Sequence, residues 1–330
     1  MKIAIVGAGL MGRWHMYTAR RLGADVVGIV DVNETSARAL AARAHGVEVF
    51  SSIDALFSAC SPDVVHVCTP LQTHKTLCEQ ILDRGAHIVC EKPLASSAAD
   101  VRELYEVARK NGKRICPVHQ FAFQNGVRKA RKYLGKIGKP VRIDFLVCSA
   151  GADGQSEAEK DAVVADVLPH PFSVMTALWP DTSIANLDWQ MQHPMAGEVG
   201  AQCLFDGVPL SMTFSMSAKP TRCRMEIRGD RGTLLLDFFH GYCLHYPGKV
   251  SRYRKMIYPF SDSIHQLFIA GINMVSRLYY REPAYPGLKN LLGDFYHCIE
   301  DGTEEPVPEG LSISQSQARE AFLDEMKTHQ

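Results

Sequence analysis

The stretch that decides the fold is the first one met, Lys2-Ile3-Ala4-Ile5-Val6-Gly7-Ala8-Gly9-Leu10-Met11-Gly12. Lys2 to Val6 is a short apolar run, consistent with a buried parallel strand. The glycines follow as G-x-G-x-x-G, with helical sequence from Met11 to Leu22. Glycine allows a tight turn, lets backbone amides approach a pyrophosphate, and lets helix and strand pack closely. That would make Gly7, Gly9, Leu10, Met11 and Gly12 cofactor-binding residues. Alone the pattern is weak, and context strengthens it. A second strand, Asp25 to Val30, ends in Asp31, 24 residues after Gly7, where an acid would bond the adenine ribose hydroxyls. A carboxylate there repels a 2′-phosphate, and Val32 and Asn33 bring no cation, so NAD is expected over NADP. The plain alternative is a glycine turn with a solvated aspartate.

Outward from this stretch the alternation continues. Helices are expected over 34–44, 53–58, 73–84 and 97–110, and strands over 48–50, 64–68, 87–90 and 114–118. Regular βα alternation argues a doubly wound parallel sheet with helices on both faces. A second informative stretch is Ile88-Val89-Cys90-Glu91-Lys92-Pro93-Leu94. It reads as the end of a buried strand, then two charges, then a proline that stops the pairing and holds Lys92 extended. A lysine held at the carboxyl end of such a strand sits where ligands bind in open α/β sheets.

Three motifs now combine: Gly7-x-Gly9-x-x-Gly12-x-x-His15, Thr69-Pro70-x-x-Thr73-His74, and Glu91-Lys92-Pro93-Leu94-Ala95. In order and spacing they resemble the glucose–fructose oxidoreductase and inositol dehydrogenase family. Asp294-Phe295, Asp301-Gly302, Pro306-Val307-Pro308 and Gly310-Leu311-Ser312 look like that family's closing segment. The resemblance implies an α/β protein of two domains. Residues 1–118 would be an NAD(P)-binding Rossmann domain. Residues 119–330 would be a substrate and oligomerisation domain with an open, mostly antiparallel sheet, its last helices free to pack back on the first domain. It also implies NAD(P)-linked alcohol oxidation, or the reverse, on a sugar or cyclitol, and often a cis peptide in the Glu-Lys-Pro motif. Thr69, Pro70, His74, Glu91 and Lys92 would then face the cofactor. Gln120, just after the last Rossmann strand, could reach the nicotinamide side or be a solvated loop amide.

After Val118 the pattern changes. A basic helix is expected over 124–134, a strand over 141–148, and a polar, glycine-bearing loop over 149–160 as a possible lid. Residues 162–179 read as apolar and helical, with Asp166 and His170 four apart. Pro169 and Pro171 cannot both sit in a regular helix interior, so the helix would restart near Pro169 with His170 in its first turn. In the family an Asp and a His at this spacing enter the active site beside the lysine. Here Ser173 stands where an acid is usual, and the usual glycine run is absent. Strands are then expected over 184–190, 199–205, 210–216, 224–228, 233–238 and 242–246, as a meander, with closing helices over 263–280 and 288–300. The open sheet face needs cover, and a second subunit is its usual source.

Composition bounds the rest. The 330 residues suggest about two domains, and 36 basic against 36 acidic residues give no field for nucleic acid. No run is long enough to span a bilayer. None of the 10 cysteines forms C-x-x-C, so they read as buried thiols of a cytoplasmic protein. No H-E-x-x-H, cysteine cluster or paired-carboxylate motif argues for a metal.

The chemistry expected is hydride transfer, with NAD as cofactor and a small polyhydroxylated molecule as substrate. His170 is the candidate general acid/base, Lys92 the group polarising the oxygen and sharing the proton, and Asp166 their orienter. The idea requires Lys92 and His170 to converge on the nicotinamide. The bland readings are a satisfied core histidine and a Lys92–Glu91 salt bridge. Two other functions stay open: a cofactor-binding regulator on the same scaffold, and NAD-dependent glycoside hydrolysis. A homodimer or homotetramer through the C-terminal sheet is expected.

Overall fold

A computed structural model of the chain describes residues 1–148, 151, 154–248, 251 and 254–328. The chain divides into two compact units. Met1–His119 and Leu288–Ser316 form the first, and Gln120–Gly287 and Gln317–Gln330 the second. The segment 288–316, which the sequence reading places after residue 118 with the second domain, is grouped with the first unit.

The first unit holds six strands: β1 (Lys2–Val6), β2 (Asp25–Val30), β3 (Glu48–Phe50), β4 (Val64–Val67), β5 (His87–Cys90) and β6 (Ile115–Pro117). They pair in the order β3-β2-β1-β4-β5-β6, all parallel. The central strands are buried on both faces because helices cover both: every residue of β4 is buried. The strands are joined by α1 (Leu10–Arg21), α2 (Glu34–Ala41), α3 (Ile53–Ala59), α4 (His74–Asp83) and α5 (Ala98–Lys110). Local chemistry sets several helix starts. Asn33, Ser52 and Ser97 each accept a hydrogen bond from a backbone N–H of the first turn of α2, α3 and α5.

The second unit begins with α6 (Asn125–Tyr133) and β7 (Pro140–Cys148). Two helices follow, α7 (Glu157–Val167) and α8 (Pro169–Leu178), so the helical stretch restarts at Pro169 as its paired prolines suggested. The chain divides at Leu168 because Pro169 has no N–H for a ladder and takes the first position of a new helix. The loop expected over 149–160 is also shorter. Glu157 to Lys160 belong to α7, started by a capping box of Ser156 and Glu159. The rest of that supposed lid lies in part outside the described residues.

Six strands complete the second sheet: β8 (Gln190–Met195), β9 (Glu198–Phe205), β10 (Val208–Ser215), β11 (Arg222–Gly229), β12 (Gly232–Asp237) and β13 (Tyr242–Pro247). The strand expected over 184–190 instead starts at Gln190. Nor is the sheet a simple meander. Its order is β13-β12-β11-β7-β10-β9-β8, so β7 is inserted between two three-stranded meanders and runs parallel to β10. Alternate residues of β7 and β11 point inward: Ile143, Phe145 and Val147 face the core beside Cys223, Met225 and Ile227. The other face of these strands is charged. Arg142 bonds Asp144, and Arg228 bonds both Asp144 and Glu226.

The chain closes with α9 (Arg254–Tyr279), α10 (Leu288–Asp301) and α11 (Glu309–Thr328). α9 starts nine residues before the expected helix and contains Pro259. The sequence reading had no helix corresponding to α11. Its buried Phe322 packs against Phe172, Trp189 and Phe214 in the core of the second unit.

Candidate active site

In the first unit every strand is parallel, so the loops after β1, β4, β5 and β6 all leave one edge of the sheet. The loops after β1 and β4 depart on either side of the point where the strand order reverses, the usual ligand crevice of this architecture.

The three glycines of the first loop serve different ends. Gly7 has φ +99°, and a Cβ on it would lie 2.6 Å from the Cys68 carbonyl oxygen. A Cβ on Gly12 would come within 1.9 Å of the Gly7 carbonyl oxygen, so only glycine lets α1 approach β1 this closely. A Cβ on Gly9 would meet no protein atom within 4 Å. Gly9 caps α1 without a side-chain bond, so open space adjoins the positive end of that helix. Packing does not account for the glycine at 9, whereas the close approach of a pyrophosphate does. Leu10 and Met11 begin the helix, and Leu10 is exposed.

Asp31 follows β2 and supports the loop. One carboxylate oxygen accepts from the Ala8 N–H at 2.6 Å, the other from the Asn33 N–H at 2.7 Å. The acid expected to meet the ribose is thus also fastened to the glycine turn. Val32, next to it, is almost wholly exposed.

The loops after β4 and β5 are tied together by His74. One ring nitrogen lies 2.8 Å from the Pro93 carbonyl and the other 2.8 Å from the Thr69 carbonyl. His74 is therefore buried beneath both the Thr69-Pro70 and the Lys92-Pro93 motifs. The Lys92–Pro93 peptide is cis, as the resemblance implied.

Beneath Lys92 runs a buried chain of polar side chains that sequence reading did not find. His15 Nε2 lies 3.0 Å from Glu91 Oε1, His15 Nδ1 lies 2.9 Å from His66 Nδ1, and His66 Nε2 lies 2.9 Å from the Tyr296 hydroxyl. With both rings neutral the donors run one way: Tyr296 to His66, His66 to His15, His15 to Glu91. Burial pushes His66 well below the ordinary imidazole range, which keeps it neutral. Burial raises the Glu91 pKa, but the His15 hydrogen bond and the nearby Lys92 outweigh it and hold Glu91 ionised. Glu91 also accepts from the Lys92 backbone N–H at 3.2 Å. Glu91 is thus anchored through His15.

His119, after β6, was also missed. Burial first, then the charge of Lys92, lower it to about 4. Its Nδ1 is buried and has no hydrogen-bond partner among the described residues. Its apolar neighbours Pro117 and Val118 gave no sequence signal of its place beside Lys92.

The other candidates lie in the second unit. His170 occupies the first turn of α8, as the paired prolines suggested, and is buried. Its ring stacks on Phe121 with centroids 3.9 Å apart and planes 13° apart. Phe121 stacks in turn on Phe238, and Phe238 on Phe145, so the imidazole ends a ladder of aromatic rings that limits its rotation. Gln120 is buried, and its Oε1 has no hydrogen-bond partner among the described residues. Asp166 is exposed on α7, where its charge acts on Arg319. Among the described residues no three His, Cys, Asp or Glu side chains group as metal ligands, and all ten cysteines are free thiols.

Comparison with known proteins agrees with this architecture. The chain is 27% identical over 252 residues to a D-apiose dehydrogenase of Paraburkholderia graminis, covering 71% of this chain and 67% of the relative. It is 27% identical over 192 residues to an inositol 2-dehydrogenase of Pseudomonas savastanoi pv. phaseolicola, covering 56% of each, so the match spans little more than half of that relative. A solved oxidoreductase from Agrobacterium radiobacter, in complex with NAD+, L-tartaric acid and magnesium, superposes with a TM-score of 0.76 at 16% identity over 100% of this chain and 97% of that one. At that identity the likeness speaks for the fold alone. Residues 1–119 match the profile described as "Oxidoreductase family, NAD-binding Rossmann fold". This match is confined to the N-terminal unit, the part of the chain whose motifs resemble the glucose–fructose oxidoreductase and inositol dehydrogenase family.

Proposed function

We propose that the chain is an NAD-dependent oxidoreductase that interconverts an alcohol and a ketone on a sugar, cyclitol or related polyhydroxylated small molecule. The observation that carries this reading is the glycine loop. Gly7 and Gly12 admit no side chain, while Gly9 leaves space at the helix end that no protein atom uses. The donor set there suits a dinucleotide, which when bound would accept or supply the hydride. The amides of Gly9, Leu10 and Met11 would hold the pyrophosphate. Asp31 keeps lone pairs for the ribose hydroxyls and brings no cation for a 2′-phosphate. Thr69 and Pro70, with His74 beneath them, would form the wall of the cofactor site, with Glu91 and Lys92 beyond. The unpartnered Gln120 Oε1 is suited to accept from the carboxamide.

In this reading Lys92 polarises the substrate oxygen, and His170 takes the proton in oxidation and returns it in reduction. Anchoring Glu91 through His15 fixes the backbone from which Lys92 reaches, and the Phe121 stack fixes the plane of His170. Asp166 balances the charge of the pair. The relatives' names, a D-apiose dehydrogenase and an inositol 2-dehydrogenase, support a polyhydroxylated substrate. Free thiols throughout favour a reducing, cytoplasmic setting, the balanced charge favours no nucleic-acid partner, and we read the chain as a homo-oligomer. The test is NADH formation against a panel of polyols, with glycosides in parallel. Lys92→Ala and His170→Ala should each lower turnover by at least ~10²-fold. A near-normal rate in either variant rejects that residue's role, and NAD binding with no turnover across the panel would favour a regulator.

A further inference from the structure

The helix α9 is amphipathic in the wrong sense for a free monomer. Its inward face is largely polar and is held by polar contacts. Asn273 Nδ2 donates to the His240 carbonyl at 2.8 Å, Arg277 donates to the carbonyls of Glu282 and Pro283, and His265 meets the Tyr246 ring edge-on. Its outward face is apolar. Ile257, Phe260, Ile264, Leu267, Met274 and Leu278 are 57 to 73% exposed, and Phe268 and Val275 flank them. Burial of apolar surface within the described chain therefore does not explain why this helix carries these residues.

Their spacing says what does. Positions 257, 260, 264, 267, 271, 274 and 278 alternate steps of three and four for three full heptads, with Gly271 at the one position that is not a large apolar residue. A sustained 3.5-residue repeat is the pattern by which one helix packs along another. The outward apolar side chains of α9 together present on the order of 1,000 Å². That exceeds the few hundred Å² usual on a monomer and meets the ~800 Å² per partner of a stable interface. The outer face of the open sheet, by contrast, carries the ion-paired row of Arg142, Asp144, Glu226 and Arg228. A membrane surface suits α9 less well. Interfacial helices show basic residues on a water-facing polar side, whereas residues 256–276 contain no Lys or Arg and the polar face is turned inward.

We propose that α9 is the self-association element of this protein, and that its apolar face packs against α9 of a second copy. This rests on the homo-oligomer reading and not on the reaction. Closed pairs are the commonest oligomers, and in them the same patch meets itself. Leu267 lies midway along the repeat, so it would face its own copy whether the helices run parallel or antiparallel.

The test is sedimentation velocity on the full chain, with Ile264→Glu/Leu267→Glu as the disrupting variant. Both residues are exposed, so the fold should survive, as circular dichroism and NADH binding would check. We expect a wild-type dimer or larger, and a variant whose dissociation constant rises at least ~10²-fold. Leu267→Cys should form an interchain disulfide under mild oxidation that the wild type does not form. An assembly that persists in the double variant would overturn α9 as the contact while leaving the homo-oligomer reading intact. A monomeric wild type would overturn both. A monomer that floats with phosphatidylcholine–phosphatidylglycerol vesicles would assign the face to lipid instead.

Discussion

Two alanine substitutions in the glycine loop should separate its roles. At Gly9 the backbone has φ −73° and ψ −161°, which alanine adopts, and the new methyl group would meet no protein atom within 4 Å. Alanine is a poorer helix cap than glycine, but it also removes freedom from the unfolded chain, so the two effects nearly cancel to within ~0.5 kcal/mol. The methyl group would instead intrude where the pyrophosphate has to approach. NADH affinity should therefore fall at least ~10-fold, about 1.4 kcal/mol, with stability unchanged. At Gly12 the methyl group would lie 1.9 Å from the Gly7 carbonyl oxygen. The helix would have to retreat by roughly 1 to 1.5 Å to restore ordinary contact, at a cost of about 1–3 kcal/mol. Gly12→Ala should thus lose both stability and binding. Urea denaturation and a fluorescence titration with NADH read the two quantities independently. If Gly9→Ala binds NADH as tightly as the wild type, the pyrophosphate does not lie over that turn and the reasoning fails.

Other consequences follow from the buried polar groups and the core. Tyr296→Phe removes the donor to His66 Nε2 and leaves that nitrogen buried, so unfolding free energy should drop by ~1–3 kcal/mol; an unchanged urea midpoint would mean that water or another group satisfies the ring. His66 and His119 stay neutral when folded but take up protons near pH 6.5 when unfolded, so their contribution is intact above that pH and declines as pH falls, by up to ~1.4 kcal/mol per pH unit for each. For His119 the loss levels off at about 4, and a melting temperature that stays flat from pH 7 to about 4 would contradict the burial of both rings. Phe322→Ala should cost ~3–5 kcal/mol, because the side chain is fully buried against Phe172, Trp189 and Phe214; a mild effect would show that the end of α11 is dispensable to that core.

The sequence by itself determined whatever depends on neighbours a few residues apart. The glycine turn, the βα alternation and the helix restart at Pro169 are of this kind, because torsional limits and missing N–H groups act within one turn of chain. Contacts across large separations were decided only by the tertiary structure. Tyr296 reaches His66 across 230 residues, β7 enters the second sheet between β10 and β11, and residues 288–316 join the first unit. Nothing local distinguishes a buried histidine in an apolar strand from an idle one, so the chain from Tyr296 to Glu91 and the place of His119 beside Lys92 could not be read from the sequence. The heptad spacing of α9 was present in the chain, but apolar periodicity ordinarily marks the side that faces inward. Only the folded structure, in which the polar side is held against the protein, reveals that this helix turns its apolar side outward.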